Sequence, residues 1–328
     1  MTSTLLCLLA LSVSAEPKAG PPKESPAEFG HGLNKNLAAE GFISLFDGQT
    51  TFGWTGAVLK EGVLSAGRTT TQFSKFRILV SARRGGTLKV GSGAFKVDAN
   101  DSFAAINAID GTGSIELADG LAVTKIAIMP LGLEAKFNGK DLTGWKALPH
   151  PKLVAEKQAK WTIEDGAIRA VGGPGAIELQ EKFADYVLQI DVKTRAKLAN
   201  GGVFTRTDAG SFMNGYESQV FNACYDGDPA KPAKYSTGAI DDRQLARRLV
   251  SRDGEQFTMT IVHVGAHLAT FVNGYQTTDW TDTRDKDSNP RKGLRLEAGT
   301  LQLQAHDPET DVEFRNIRIV ELPARKEK

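Results

Sequence analysis

From Tyr186 to Thr194, apolar Tyr186, Leu188, Ile190 and Val192 alternate with Gln189, Asp191 and Lys193. A period of two predicts a half-buried β-strand. Phe257, Met259 and Ile261 repeat the pattern, Val264-Gly265-Ala266 offers a turn into Leu268 to Val272, and Asn273-Gly274 offers another. Successive strands at this spacing predict an antiparallel sandwich over residues 131–323. Only Asp241 to Asp253 reads as a stretch able to form more than one helical turn. Residues 41–130 consist of shorter runs, such as Phe76 to Val80, Thr87 to Val90 and Val123 to Ile128, separated by Gly-rich turns. They predict a smaller β-rich domain, accessory or degenerate, since it has no His between Phe42 and Pro130 and no convergent polar cluster. Each unit opens on the same pattern, LFDGQTTFGW at Leu45 to Trp54 and KFNGKDLTGW at Lys136 to Trp145, an internal repeat that marks two domain starts. Trp54 and Trp145 are expected in the cores.

The ends of the chain read differently. An apolar run from Leu5 to Val13, closed by the small residues Val13-Ser14-Ala15, predicts a signal peptide over residues 1–15 and export to the periplasm or beyond. The run is too short to span a bilayer, and no other apolar run is long enough, so membrane insertion is not expected. Residues 16–40, with four prolines and little apolar content, predict a flexible linker, and 324–328 a short tail. Beyond the leader Cys224 is the only cysteine, which excludes an internal disulfide and a multi-cysteine zinc site. With 40 Lys+Arg against 39 Asp+Glu, the charge gives no case for nucleic acid or an anionic membrane surface.

Strand geometry also sorts the polar residues. In GVFTRT, Phe204 and Arg206 share a face; in GYESQVF, Glu217, Gln219 and Phe221 do; in GTLQLQAHD, core-facing Leu301, Leu303 and Ala305 leave Gln302, Gln304 and His306 on the other side. A sheet face carrying Arg, Glu, Gln and His predicts a binding groove, against the alternative of a solvated outer face. Phe212, Tyr216, Tyr275 and Trp280 are candidates for stacking on a sugar ring or for core packing. His263 and His267 flank a turn and are expected to be structural. The arginines at 243, 247, 248 and 252, interleaved with acids, are expected to form a neutralised rim. No G-x-S-x-G context supports a hydrolytic triad.

FNGKDLTGW, WTIEDGAI, NGGVFTR, GYESQVFN, TGAI, VNGYQTTDWTD and LQAHDPETDVEFRNIRI, in order between Phe137 and Ile319, together resemble the 3-keto-disaccharide hydrolase family, associated with 3-keto-glucoside 1,2-lyase and 3-keto-2-hydroxyglucal hydratase activity. The pattern departs from the family's at Gly201 and at Phe221, where relatives carry Ser and His. The resemblance implies an all-β, concanavalin A-like jelly-roll sandwich on an exported protein, with an oligosaccharide or 3-keto-glucoside as substrate. It implies removal of the C2 proton, acidified by the C3 ketone, then expulsion of the C1 substituent and addition of water. Such chemistry needs a base near C2 and an electrophile near the C3 oxygen. Carried onto this chain, it makes Glu217, His306 and Arg206 the catalytic candidates, and Gln219, Tyr216, Asn200, Gln304, Asp307 and Trp280 the substrate-binding ones. No cofactor is required; a divalent metal ion could replace or assist Arg206. The alternative is a lectin-like module that binds a glycan on the same face without turnover. In either case Leu133 to Leu322 is expected to fold and bind without the first unit.

Overall fold

The computed structural model describes residues 19–23, 33–109, 112–287, 289 and 291–323. The predicted leader and tail lie outside them. The molecule is all-β, as the alternation and turn spacing imply. The first unit pairs two antiparallel sheets. One runs Asn100–Ile109, Phe76–Arg84, Ala122–Pro130, Val63–Ser65 and Val58–Lys60, with Ile43–Ser44 added on Ala122–Pro130. The other runs Trp54–Thr55, Arg68–Thr69, Ile115–Ala118, Gly86–Val90 and Gly93–Val97.

The second unit is a two-sheet antiparallel jelly-roll sandwich. Its front sheet has the order Trp145–Pro149, Gly175–Phe183, Gly299–Ala305, Gly201–Thr207, Tyr216–Val220. Its back sheet runs Lys160–Glu164, Ala167–Val171, Asp311–Glu321, Tyr186–Thr194, Gln256–Val264, His267–Val272, Tyr275–Thr281, with Glu134–Ala135 also paired to Asp311–Glu321. Between them pack Ile177, Val203, Leu301 and Leu303 from the front and Leu188, Ile190, Met259 and Ile261 from the back.

The repeat builds the same closed loop twice. Trp54 Nε1 donates to Leu45 O, and Trp145 Nε1 to Lys136 O at 2.8 Å. Asp47 Oδ1 accepts from the Gln49 and Thr50 amides, as Asn138 Oδ1 does from Lys140 and Asp141. The two glycines of each copy have positive φ, 76° and 79° at Gly48 and Gly53 and 75° and 83° at Gly139 and Gly144, where a side chain would be strained.

The units are not separate beads. Val187, Val262, Val264, Ala269 and Phe271, on the outer face of the back sheet, share one cluster with Ile43, Phe76, Ile78 and Leu88 of the first unit. Strands Tyr186–Thr194, Gln256–Val264 and His267–Val272 of the back sheet are therefore buried on both faces, which bears against a sandwich that stands alone. Polar ties flank this contact: Arg247 Nη2 to Asp47 Oδ2 at 2.7 Å, and Thr71 Oγ1 to Asp279 Oδ1 at 3.0 Å.

Two local expectations differ. Within 16–40, Ala19–Gly20 pairs with Cys224–Tyr225, and Lys35–Ala39 is a helix whose Leu37 amide is capped by Asn34 Oδ1 at 2.9 Å. It is the only α-helix among the described residues. Asp241 to Asp253 forms turns instead, because Ile240 bridges both Ser218 and Gln244 and draws the segment onto the sheet edge.

Candidate functional site

The outer face of the front sheet carries a cleft of about 520 Å³. Its floor comes from three adjacent strands, paired Gly202 to Gln219 on one side and Gly202 to Gln304 on the other. Regular pairing puts Glu217, Gln219 and Gln304 in one group, as alternation requires, with Asn200 and His306 at the strand ends beside them. Gly202 lies beneath: a Cβ there would stand 2.6 Å from Glu217 Oε1 and 3.0 Å from Gln304 Oε1. Four buried oxygens lining the cleft, Glu217 Oε1, Gln219 Oε1, Gln304 Oε1 and Asn200 Oδ1, have no hydrogen-bond partner among the described residues. Buried acceptors left unpaired cost free energy, so this floor is matched to a ligand rich in hydroxyl donors.

Arg206 is not part of it. From Phe204 to Thr207 the strand advances three positions while its neighbour advances two, from Gln302 to Thr300, a β-bulge, and Arg206 takes φ +51° there. The bulge breaks the alternation that would have set Arg206 beside Phe204. Its guanidinium is 0% exposed and donates to Ala184 O, Gly265 O, Arg295 O and Asp185 Oδ1. Tyr216 and Trp280 are also elsewhere. Tyr216 faces the core from the strand that presents Glu217 outward, donates to Asp282 Oδ2 at 2.8 Å and packs with Trp280 at 6.0 Å between ring centroids. Asp307 does not line the cleft; its Oδ2 meets His306 Nδ1 at 3.0 Å and steadies that ring. Phe221 lies past the end of its strand and outside the cleft wall. His263 is buried between Tyr186 and Tyr216, and His267 binds Asp279, so both are structural.

The positive charge at the floor comes from Arg291, which the sequence reading missed. Its Nη1 lies 3.2 Å from Glu217 Oε2, its Nη2 pairs with Asp241, and its guanidinium carbon stands 5.5 Å from the centre of the Phe204 ring. Arg284 Nη1 holds the Arg291 carbonyl at 3.1 Å, and Asn289 Oδ1 accepts from the Arg291 amide at 3.0 Å. Burial pushes the Glu217 carboxyl up to about 8; Asp241 and Asp242 add to the rise and Arg291 opposes it. A carboxyl so placed exchanges a proton near neutral pH.

The walls are loops. Phe212 and Met213 close one side, with Phe212 edge-on to His150 at 5.1 Å. They are held by Gln302, which accepts from the Met213 amide at 2.9 Å and donates to Ser211 O at 2.8 Å, and by buried Glu178, which accepts from the Gly210 amide, Thr300 and Gln302. Gln302 thus shares the face with Gln304, as alternation predicts, yet is covered by the loop. Tyr235, with Lys234 at 4.6 Å from its ring centre, forms the opposite rim. Among the described residues no group of three or more His, Cys, Asp and Glu converges to hold a metal ion. At Glu217 the neighbouring cation is Arg291.

This arrangement supplies a proton acceptor, a cation beside it and a row of hydroxyl acceptors. Several solved proteins have related shapes. A "putative glycosyl hydrolase" of Parabacteroides distasonis is 20% identical, with a TM-score of 0.47, over 58% of this chain and 94% of its own. A second from the same organism is 24% identical, with a TM-score of 0.45, over 59% and 85%. A carbohydrate-binding module from Bacillus subtilis is 13% identical, with a TM-score of 0.38, over 54% and 95%. No curated protein sequence matches the chain. The profile of the 3-keto-alpha-glucoside-1,2-lyase-like domain matches residues 132–320, the whole sandwich with the cleft residues inside it, and the chain belongs to that family.

Proposed function

We propose that this chain cleaves 3-keto-glucosides by elimination followed by hydration, with Glu217 as the base at C2. The carrying observation is the coincidence, on one cleft floor, of a carboxyl raised to about 8 with an unpartnered Oε1 and three further unpartnered acceptors. The acceptors take sugar hydroxyls. Glu217 removes the C2 proton, and the bond's electron pair forms an enediolate whose oxygen charge Arg291 opposes. Collapse of the enediolate re-forms the C3 ketone and breaks the C1–O bond. The electron pair leaves with the aglycone oxygen, which takes a proton from His306, whose ring Asp307 steadies. Water then adds across the C1–C2 double bond, giving net hydrolysis. Arg291 replaces Arg206 in the role drawn from the sequence. The leader expected at residues 1–15 would place this activity outside the cytoplasm.

Incubation of the purified protein with a 3-keto-glucoside, with and without chelator, should release aglycone at the same rate in both. Release abolished by chelator would require a metal-assisted route. Binding without release would leave the lectin-like reading.

A further inference from the structure

A second cavity, of about 580 Å³, lies beside the cleft and is lined by Leu153, Val171, Pro174 and Pro308, with Lys157 and Lys160 among its remaining walls. Two connections tie its walls to those of the candidate site. The turn after strand Gly299–Ala305 gives His306 to the cleft and Pro308 to the cavity. Phe212 of the cleft wall rests on His150, and the His150 backbone is clamped by the Gln158 side chain, which accepts from its amide at 2.7 Å and donates to its carbonyl at 3.0 Å. Gln158 also donates to Leu153 O at 2.8 Å, so one side chain fixes the strap that walls the cavity.

The two spaces differ in chemistry. The cleft offers unpartnered acceptors; the cavity offers the aliphatic surface of Leu153, Val171, Pro174 and Pro308, its polar side chains being exposed Glu156, Lys157 and Lys160 and a Gln158 already bonded to the strap. Val171 is 37% exposed and Val154, on the same strap, 61%, although large apolar side chains this open are uncommon among the described residues. Preformed pockets of this size with apolar walls suit small ring-bearing ligands. We infer that the cavity is the aglycone subsite and selects 3-keto-glucosides whose C1 substituent is an apolar ring, such as an aryl group, over those bearing a second sugar or a small alkyl group. The inference rests on the lyase reading for its substrate, and its binding test does not.

The experiment compares phenyl and methyl 3-keto-glucosides of one anomeric configuration, in wild type and in Val171→Asp, a position open enough to accept a charge without disturbing the core. Wild type should favour the phenyl compound in kcat/KM, and Val171→Asp should lower the phenyl value roughly tenfold, on the scale of burying one apolar group, leaving the methyl value within about twofold. Leu153→Ala should move the same ratio in the same direction. No phenyl preference in wild type, or equal changes for both compounds, would overturn the subsite. If wild type turns over neither compound, the lyase reading fails, and calorimetric binding of phenyl and methyl glucosides then decides the cavity separately: a phenyl advantage abolished by Val171→Asp supports it, and equal affinities refute it.

Discussion

Glu217 carries most of the chemistry at the scale of a single residue, and its environment sets both its reactivity and its cost. Replacing Glu217 with Gln keeps the shape and removes the base, so turnover should fall by about 10² to 10⁴, with binding of the 3-keto-glucoside retained in a titration. In wild type, activity limited by this base should rise with pH toward about 8. The stability dependence runs the other way. The folded carboxyl holds its proton up to about 8, whereas an unfolded glutamate loses it near 4.5, so the native state binds more protons across that window. Stability therefore declines as pH rises from about 4.5 through 8. Denaturant titrations of Glu217→Gln across this range should show less decline than wild type; an identical slope would contradict a raised carboxyl. Gly202 gives a second test. Alanine there would meet Glu217 Oε1 at 2.6 Å, a side-chain end that can move aside, so Gly202→Ala should fold with a near-normal melting temperature and lose at least about tenfold in turnover through displacement of the base.

At the scale of the strand, what sequence periodicity revealed and what it concealed have one cause. Glu217, Gln219 and Gln304 are found together because strands Tyr216–Val220 and Gly299–Ala305 both hold an unbroken register against Gly201 to Phe204 between them. Arg206 escaped because one extra residue in Gly201–Thr207 turned it away, and a bulge leaves no mark in hydrophobic spacing. Arg291, Asp241 and Tyr235 come from loops, where no period tells which way a side chain points. Tyr216 and Trp280 were aromatic candidates that packing claimed for the core. The buried Arg206 ion pair makes the corrected role measurable. Arg206→Met would deprive Asp185 and three carbonyls of this donor, and should destabilise the fold by about 3–5 kcal/mol. The protein that remains folded should keep its KM, since no cleft wall contains Arg206. A selective loss of kcat at unchanged stability would return Arg206 to the chemistry.

The shared core decides how the whole molecule behaves. Outer-face residues of the back sheet, Val262, Val264, Ala269 and Phe271, are as buried as those facing the sandwich. The sequence held a signal of this: Ile261-Val262 and Leu268-Ala269, then Phe271-Val272, are nearly continuous apolar runs, as in strands buried on both faces. Emphasis on the alternating positions in the same strands hid it. A truncation beginning at residue 131 should therefore expose a broad apolar face and elute as aggregate in size-exclusion chromatography, rather than as the self-sufficient sandwich expected from sequence. A monomeric, cooperatively melting fragment would show that the contact is dispensable. The same contact predicts one thermal transition for the intact protein, with both units melting together.

The pairing of Ala19–Gly20 with Cys224–Tyr225, and of Glu134–Ala135 with Ile319 and Arg318, fastens the chain to the sandwich on both sides of the first unit. A single protease cut inside that unit would leave both pieces attached. Order of synthesis then matters: the first unit leaves the ribosome well before Val262 and Phe271 exist to cover it, and residue 19 must wait for residue 225. Contacts this distant in sequence slow folding, so a nascent chain halted near residue 250 should present an apolar flank that a chaperone can hold until the last strands arrive.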